Sequence, residues 1–119
     1  MTEEWDLPSY GRGIQLYNER KFFDAHEVLE DVWRAAPPED KKFLQGLIQL
    51  AVALHHHSRG NLVGARSLMT RAARNLSTYP HHYGGIDVAT LLEGMSQCEA
   101  ALSAGLPLPC IPLLHPPGC

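Results

Sequence analysis

A histidine and a carboxylate lie on or beside the apolar face of one predicted helix, in the segment 22–34 (FFDAHEVLEDVWR). At 100° per residue, His26 borders the apolar stripe of this helix, and Glu30 lies one turn further along at its edge. Because the two residues are four apart, they project from the same side and could supply two ligands to a divalent metal ion. Glu27, or His56 from a neighbouring helix, could supply a third. A metal-binding protein or a metal-dependent hydrolase is therefore one hypothesis.

The spacing of this pair departs from two common metal motifs. The segment 26–30 has a glutamate where the zinc-protease motif His-Glu-x-x-His has its second histidine. Helical bundles that bind two iron or manganese ions use Glu-x-x-His, whereas here the histidine comes first and the motif is not repeated. These departures make a metal site the alternative hypothesis and not the leading one.

The segment 43–57 is apolar nearly all the way round, which is typical of a buried central helix. Three polar side chains nevertheless form a thin stripe on it: Gln45, Gln49 and His56. The leading hypothesis is that His26 and Glu30 hydrogen-bond to these glutamines or to backbone groups, because a buried polar group left unpaired costs about 1–3 kcal/mol. Such a network would fix the register of the two helices, with Trp33 as its packing wall. The predicted polar centre comprises His26, Glu27, Glu30, Trp33, Gln45, Gln49 and His56.

Basic residues are concentrated in the middle of the chain. Residues 41–86 contain six lysines and arginines and no acidic residue, so the net charge of −3 leaves −9 on the remainder. Four of the six form a candidate anion-binding set: Arg59, Arg66, Arg71 and Arg74. Helical spacing places Arg66 and Arg74 on one face and Arg71 elsewhere. The simpler interpretation is that basic and acidic helices are neighbours or face solvent.

The charge pattern also limits the kinds of partner. A net charge of −3 gives little attraction for nucleic acid, and few aromatic residues accompany the arginines, so a base-stacking surface is not indicated. The remaining candidates are a protein or peptide, a small anion, or a second copy of the chain in a homodimer. No apolar run reaches the ~18 uninterrupted residues of a membrane span. The acidic start MTEEWD also lacks the pattern of an export signal, so we expect a cytoplasmic protein.

Helix signals are strong and strand signals are weak along the chain. We expect five helices: about 9–19, 22–34, about 39–58, a fourth capped by Asn61, and a fifth capped by Asp87. Residues 79–85 are expected to form a loop. A weak repeat at a spacing of 40 residues relates the start of the second helix to that of the fourth. The sequence therefore predicts a compact all-α bundle of about five helices, built from antiparallel helical hairpins.

The chain of 119 residues is expected to form one domain at 1–105, followed by a proline-rich apolar tail at 106–119. The prolines exclude a helix, but the tail is too apolar to be a solvated linker, so we expect it to pack on the bundle or on a second subunit. The three cysteines lack the close paired spacing of a zinc or redox motif. We expect free thiols, with Cys98 in a helix core.

Three segments, in order and spacing, closely resemble the domain of unknown function 309 family. They are 22–33 (FFDAHEVLEDVW), 43–51 (FLQGLIQLA) and 60–68 (GNLVGARSL). The resemblance spans most of 17–92 and leaves out the tail after residue 105. The resemblance implies a small all-helical bundle of bacteria and archaea with no established activity. It therefore supports the predicted fold but assigns no reaction or ligand.

The sequence thus favours an uncharacterised helical domain that acts as a non-catalytic structural or ligand- and protein-binding module. A metal-dependent hydrolase or metal-binding protein using His26 and Glu30 is the alternative. A cleft open to solvent above these two residues would favour the enzyme, and a dry, fully paired centre would favour the structural role.

Overall fold

The computed structural model describes residue 5 and residues 7–109 and 112–114. Its helices are α1 (Leu7–Asn18), α2 (Phe22–Ala35), α3 (Pro38–Ser58), α4 (Leu62–Leu76) and α5 (Val88–Ala104). Its strands are β1 (His82–Tyr83) and β2 (Ile86–Asp87). The predicted all-α bundle of five helices is confirmed. The expected loop at 79–85 is only partly a loop, since β1 pairs antiparallel with β2 in a short hairpin.

The structure confirms the side-chain caps predicted at the starts of α4 and α5. The Asn61 side-chain oxygen accepts a hydrogen bond from the amide of Gly64 at 3.0 Å. The Asp87 carboxylate accepts one from the amide of Thr90, also at 3.0 Å. Pro38 occupies the first turn of α3, where its missing amide hydrogen has no helical partner to lose.

The 40-residue repeat corresponds to two helical hairpins with the same turn. Arg20 ends the α1–α2 turn with φ 66°, and Gly60 ends the α3–α4 turn with φ 81°. In each turn the next amide, that of Lys21 or Asn61, donates to the carbonyl five residues earlier at 2.9 Å. This is the bonding of a Schellman motif, which favours glycine at the left-handed position. The repeat therefore preserves turn geometry even where arginine replaces glycine.

The central helix is α3, which packs against α2 on one side and α4 on another. Its side chains Phe43, Leu47 and Leu50 are completely buried. The outer helix α5 packs on α4 and buries Cys98, as predicted. Cys110 and Cys119 lie outside the described residues. Among the described residues, no helix has the length and apolar content needed to cross a bilayer.

Residues 112–114 of the tail pack on α1. The Tyr17 hydroxyl donates to the Pro112 carbonyl at 2.7 Å. The side-chain Nδ2 of Asn18 donates to the Leu114 carbonyl at 3.1 Å, and the Leu114 backbone N–H donates to Oδ1 of Asn18 at 2.8 Å. The Leu114 side chain is buried. At these residues the expectation that the tail packs on the bundle is confirmed. The division of the chain at residue 105 stays a prediction.

Gly46 lies where α3 packs closely against α4. A Cβ added there would lie 2.7 Å from Cγ of Leu76, which is itself completely buried. We expect Gly46→Ala to lower the free energy of unfolding by about 1–3 kcal/mol, because α4 must shift to relieve the contact. Urea unfolding followed by circular dichroism measures this change.

Gly11 provides the matched control, because it lies inside a helix but has no atom within 4 Å of the added Cβ. Gly11→Ala is expected to raise the free energy of unfolding by about 0.5–1 kcal/mol through helix propensity alone. Equal effects at the two positions would contradict the close packing of α3 on α4.

Candidate functional site

The two glutamines of the predicted polar centre face away from His26 and Glu30. Gln45 is exposed to solvent. The side-chain oxygen of Gln49 accepts a hydrogen bond from the Asn75 side chain of α4 at 2.9 Å. The glutamine partners expected for the α2 pair are therefore not the ones found, whereas His26 bonds to a backbone carbonyl, the other kind of partner that the sequence predicted.

His26 and Glu30 form a local pair on α2. The Nδ1–H group of His26 donates to the backbone carbonyl of Phe23, and its Nε2 lies 4.0 Å from a Glu30 oxygen. Glu27 is exposed. The Phe23 ring lies between two imidazoles, with its centroid 4.8 Å from that of His26 and 5.2 Å from that of His55. One hydrogen bond within α2 thus orients His26, and Glu30 lies beyond hydrogen-bond distance from its ring.

His56, the other proposed third ligand, lies near the end of α3 and has its Nδ1 3.4 Å from the side-chain Nδ2 of Asn61. Within the part of the chain that the structure describes, no three or more His, Cys, Asp or Glu side chains come together to hold a metal ion. This geometry does not favour the metal-dependent alternative.

Trp33 is half-buried at the junction of α2 and α3, where it contacts Lys41. The Lys41 ammonium lies 4.4 Å from the centroid of its ring and also donates to its backbone carbonyl. The Lys41 ammonium therefore packs against the face of the indole ring and caps a carbonyl at the C-terminal end of α2. The indole N–H is buried without a partner among the described residues.

Three of the four predicted arginines line one groove on the exposed face of α4. This surface, called here the arginine groove, encloses about 430 Å³. Its lining residues are Val63, Arg66, Ser67, Thr70, Arg71 and Arg74. The prediction that Arg71 points elsewhere is wrong. At 100° per residue, Arg66 and Arg71 are roughly 140° apart and form the two rims, with Arg74 between them.

Arg59 does not line the arginine groove, because it follows the end of α3 and precedes the first turn of α4. The other three guanidinium groups are exposed. The ion pairs found among the described residues all join other side chains. Val63, at the N-terminal end of the groove, is 83% exposed. The groove thus combines an aliphatic surface with three cations that have no carboxylate within ion-pair distance among the described residues.

A buried carboxylate absent from the predicted site lies at the start of α3. Asp40 is completely buried. One of its oxygens accepts from the indole N–H of Trp5 at 2.8 Å, and the other accepts from the Tyr83 hydroxyl. The sequence offered only a weak signal, an acidic residue in the first helical turn, because the two donors are 35 and 43 residues away.

An aromatic cluster surrounds this carboxylate. The Phe43 ring contacts Tyr79 and Tyr83 at centroid distances of 5.5 and 5.0 Å. Tyr10 reaches the β-hairpin and donates to the Gly84 carbonyl at 2.6 Å. Burial raises the pKa of the Tyr83 phenol, and the hydrogen bond to Asp40 raises it further. Asp40 is closed off from solvent. We therefore interpret this cluster as structural: it holds residue 5 and the β-hairpin against α3.

Together the fold and its surfaces define an all-α bundle with one exposed cationic helix face and a closed carboxylate–aromatic cluster. Residues 10–68 match the family model described as "Domain of unknown function (DUF309)", and the chain belongs to this family. The resemblance noted in the sequence is thereby confirmed. The matched segment contains Arg66 but ends before Arg71 and Arg74.

Two curated relatives are also uncharacterised. The chain is 40% identical over 85 residues to "Uncharacterized protein YpuF" of Bacillus subtilis (strain 168), covering 69% of this chain and 49% of that protein. It is 29% identical over 92 residues to an "Uncharacterized protein" of Aquifex aeolicus (strain VF5), covering 76% of this chain and 28% of that protein. The chain thus spans half or less of these relatives, and this domain remains one of unknown function.

Proposed function

We propose that this domain is a non-catalytic protein-binding module whose arginine groove holds an acidic segment of a partner, in the cytoplasm. The observation that carries the proposal is the set of three exposed guanidinium groups around one groove, at Arg66, Arg71 and Arg74. A guanidinium presents a planar fork of donors that pairs with a carboxylate through two parallel hydrogen bonds. Three such groups on one helix face favour a segment with several carboxylates.

The charges and side chains around the groove favour a protein over a nucleic acid. The chain has a net charge of −3 and a pI of about 6.1, whereas nucleic-acid-binding domains are commonly strongly basic. The lining contains no aromatic side chain on which a base could stack. Thr70 donates to Glu99 of α5 at 3.3 Å, so one acidic side chain of the domain also lies beside the groove.

The expected affinity is moderate, because the arginines are exposed. A solvent-exposed ion pair typically contributes about 0.2–1 kcal/mol, so three pairs together give about 0.6–3 kcal/mol. This corresponds to roughly a threefold to 150-fold effect on the dissociation constant. Salt should weaken the binding, because exposed charges are screened.

The test is a fluorescence anisotropy titration with a labelled helical peptide of twelve residues that carries glutamates at i, i+4 and i+8 on an alanine background. We expect the triple variant Arg66→Ala, Arg71→Ala, Arg74→Ala to raise the dissociation constant of this peptide by roughly threefold to 150-fold. The difference in affinity between the parent and the triple variant should decrease as the salt concentration rises.

A double variant, Arg12→Ala with Arg59→Ala, is the matched control, because both arginines are exposed and neither lines the groove. We expect its dissociation constant to stay within about twofold of the parent value. The proposal fails if the triple variant binds the peptide as tightly as the parent, or if the control loses as much affinity.

A further inference from the structure

We infer that the partner segment carries an aliphatic anchor residue at one end of its acidic stretch, seated in an apolar cleft beside the first turn of α4. The inference rests on the proposed function of the arginine groove and specifies the partner. The cleft encloses about 220 Å³ and lies where α3 ends, α4 begins and α5 ends. Its lining residues are His57, Leu62, Leu102, Gly105, Leu106 and Pro107.

The cleft presents apolar surface to solvent. Leu62 and Leu106 are 52% and 62% exposed, although both are large aliphatic side chains. Exposed apolar side chains that adjoin one another around a concave surface are typical of an interaction site. The volume is below the roughly 300 Å³ of the smallest usual ligand pockets, so the cleft suits one or two protein side chains better than a small molecule.

The cleft and the arginine groove adjoin along α4. Leu62 precedes Arg66 by four residues, so the two side chains are neighbours one turn apart on the same helix. The next residue, Val63, lines the groove. From Leu62 to Arg74 the helix rises by roughly 18 Å, which is the length of about twelve helical residues. One short helical segment can therefore contact both surfaces.

This continuity fixes the chemistry of the occupant. Amphipathic helices that bind in grooves use apolar anchors at helical spacing, and anchors in desolvated pockets usually dominate the binding energy. Carboxylates facing the three guanidinium groups would set the register and speed the encounter. An acidic helix with a terminal leucine or isoleucine combines the two features.

The test compares three labelled peptides in anisotropy titrations with the parent domain: the acidic peptide alone, and the same peptide with a leucine at its N-terminal or its C-terminal end. We expect one of the two anchored peptides to bind at least tenfold more tightly than the acidic peptide. The double variant Leu62→Ala with Leu106→Ala should remove this advantage and leave the affinity for the unanchored peptide unchanged.

Leu7→Ala is the matched control, because Leu7 is 52% exposed on α1 and does not line the cleft. It should preserve the advantage of the anchored peptide. Thermal melts of every variant confirm that each is folded before binding is measured.

The outcomes separate this inference from the proposed function. Equal affinity of anchored and unanchored peptides, with binding still lost in the triple arginine variant, overturns the anchor and leaves the acidic partner intact. Binding that does not depend on the arginines overturns both. A parent domain that sediments as a dimer at micromolar concentration, with the triple variant monomeric, identifies a second copy as the occupant and also overturns the inference.

Discussion

Replacing Asp40 with alanine is expected to lower the free energy of unfolding by about 2–5 kcal/mol. The carboxylate is completely buried and accepts hydrogen bonds from Trp5 and Tyr83. Its removal leaves two buried donors without an acceptor, and each such group costs about 1–3 kcal/mol. Urea unfolding followed by circular dichroism measures the loss. The β-hairpin should also gain mobility, visible as faster amide hydrogen exchange at residues 82–87.

Glu39→Ala is the matched control for this prediction. Glu39 is the neighbouring residue in the first turn of α3, but its side chain is exposed and only its backbone carbonyl accepts a bond, from Tyr79 at 2.7 Å. Its replacement should cost less than about 1 kcal/mol, from the interaction of its charge with the helix dipole. Similar losses for the two variants would show that Asp40 acts only as a first-turn charge.

Alkaline pH is expected to destabilise the domain steeply above about pH 10, because the phenols of Tyr10 and Tyr17 are buried. Burial raises the pKa of both phenols well above the ordinary value of 10.0. The unfolded chain therefore loses these protons first as the pH rises. Below about pH 10 the two groups leave stability unchanged, and above it each lowers the free energy of unfolding by about 1.4 kcal/mol per pH unit.

Urea unfolding at a series of pH values measures the combined slope, to which Tyr10 and Tyr17 should contribute about 3 kcal/mol per pH unit and Tyr83 a further part, since its pKa is also raised. Tyr17→Phe should reduce the slope by about 1.4 kcal/mol per pH unit, whatever it does to the stability near neutral pH through loss of the bond to Pro112. The account of buried phenols is wrong if tyrosinate absorbance appears with an ordinary pKa while the far-UV circular dichroism stays unchanged.

The sequence predicts the helices well because their signals are local. The caps Asn61 and Asp87 bond to amides three residues away, so both could be identified from composition and spacing alone. The 40-residue repeat was also informative. It predicts paired helical hairpins, and the structure adds that their turns share one geometry, with Arg20 and Gly60 at equivalent left-handed positions.

The polar centre could not be predicted in the same way, because helical periodicity shows which residues share a face and not which helix that face meets. Gln49 belongs to the expected stripe but bonds to Asn75 of α4, and Gln45 faces solvent. The Asp40 cluster was missed for a related reason. Its donors come from residue 5 and from the β-hairpin, and one sequence carries no signal for contacts over such separations.

The arginine groove was partly predictable. Arg66 and Arg74 share a face by spacing, whereas Arg71 reaches the same groove from its opposite rim. Arg71 lies three residues before Arg74, about 60° from it at 100° per residue, so helical spacing itself places all three arginines within one arc of roughly 140°.

The most direct test of the binding proposal is chemical-shift mapping by NMR of the isotope-labelled domain during titration with the acidic helical peptide. We predict the largest changes at the backbone amides of residues 62–74 and smaller changes elsewhere, with both reduced in the triple arginine variant. Changes centred on α2, around His26 and Glu30, or a spectrum unaffected by saturating peptide, would contradict the proposal that the arginine groove is the binding site.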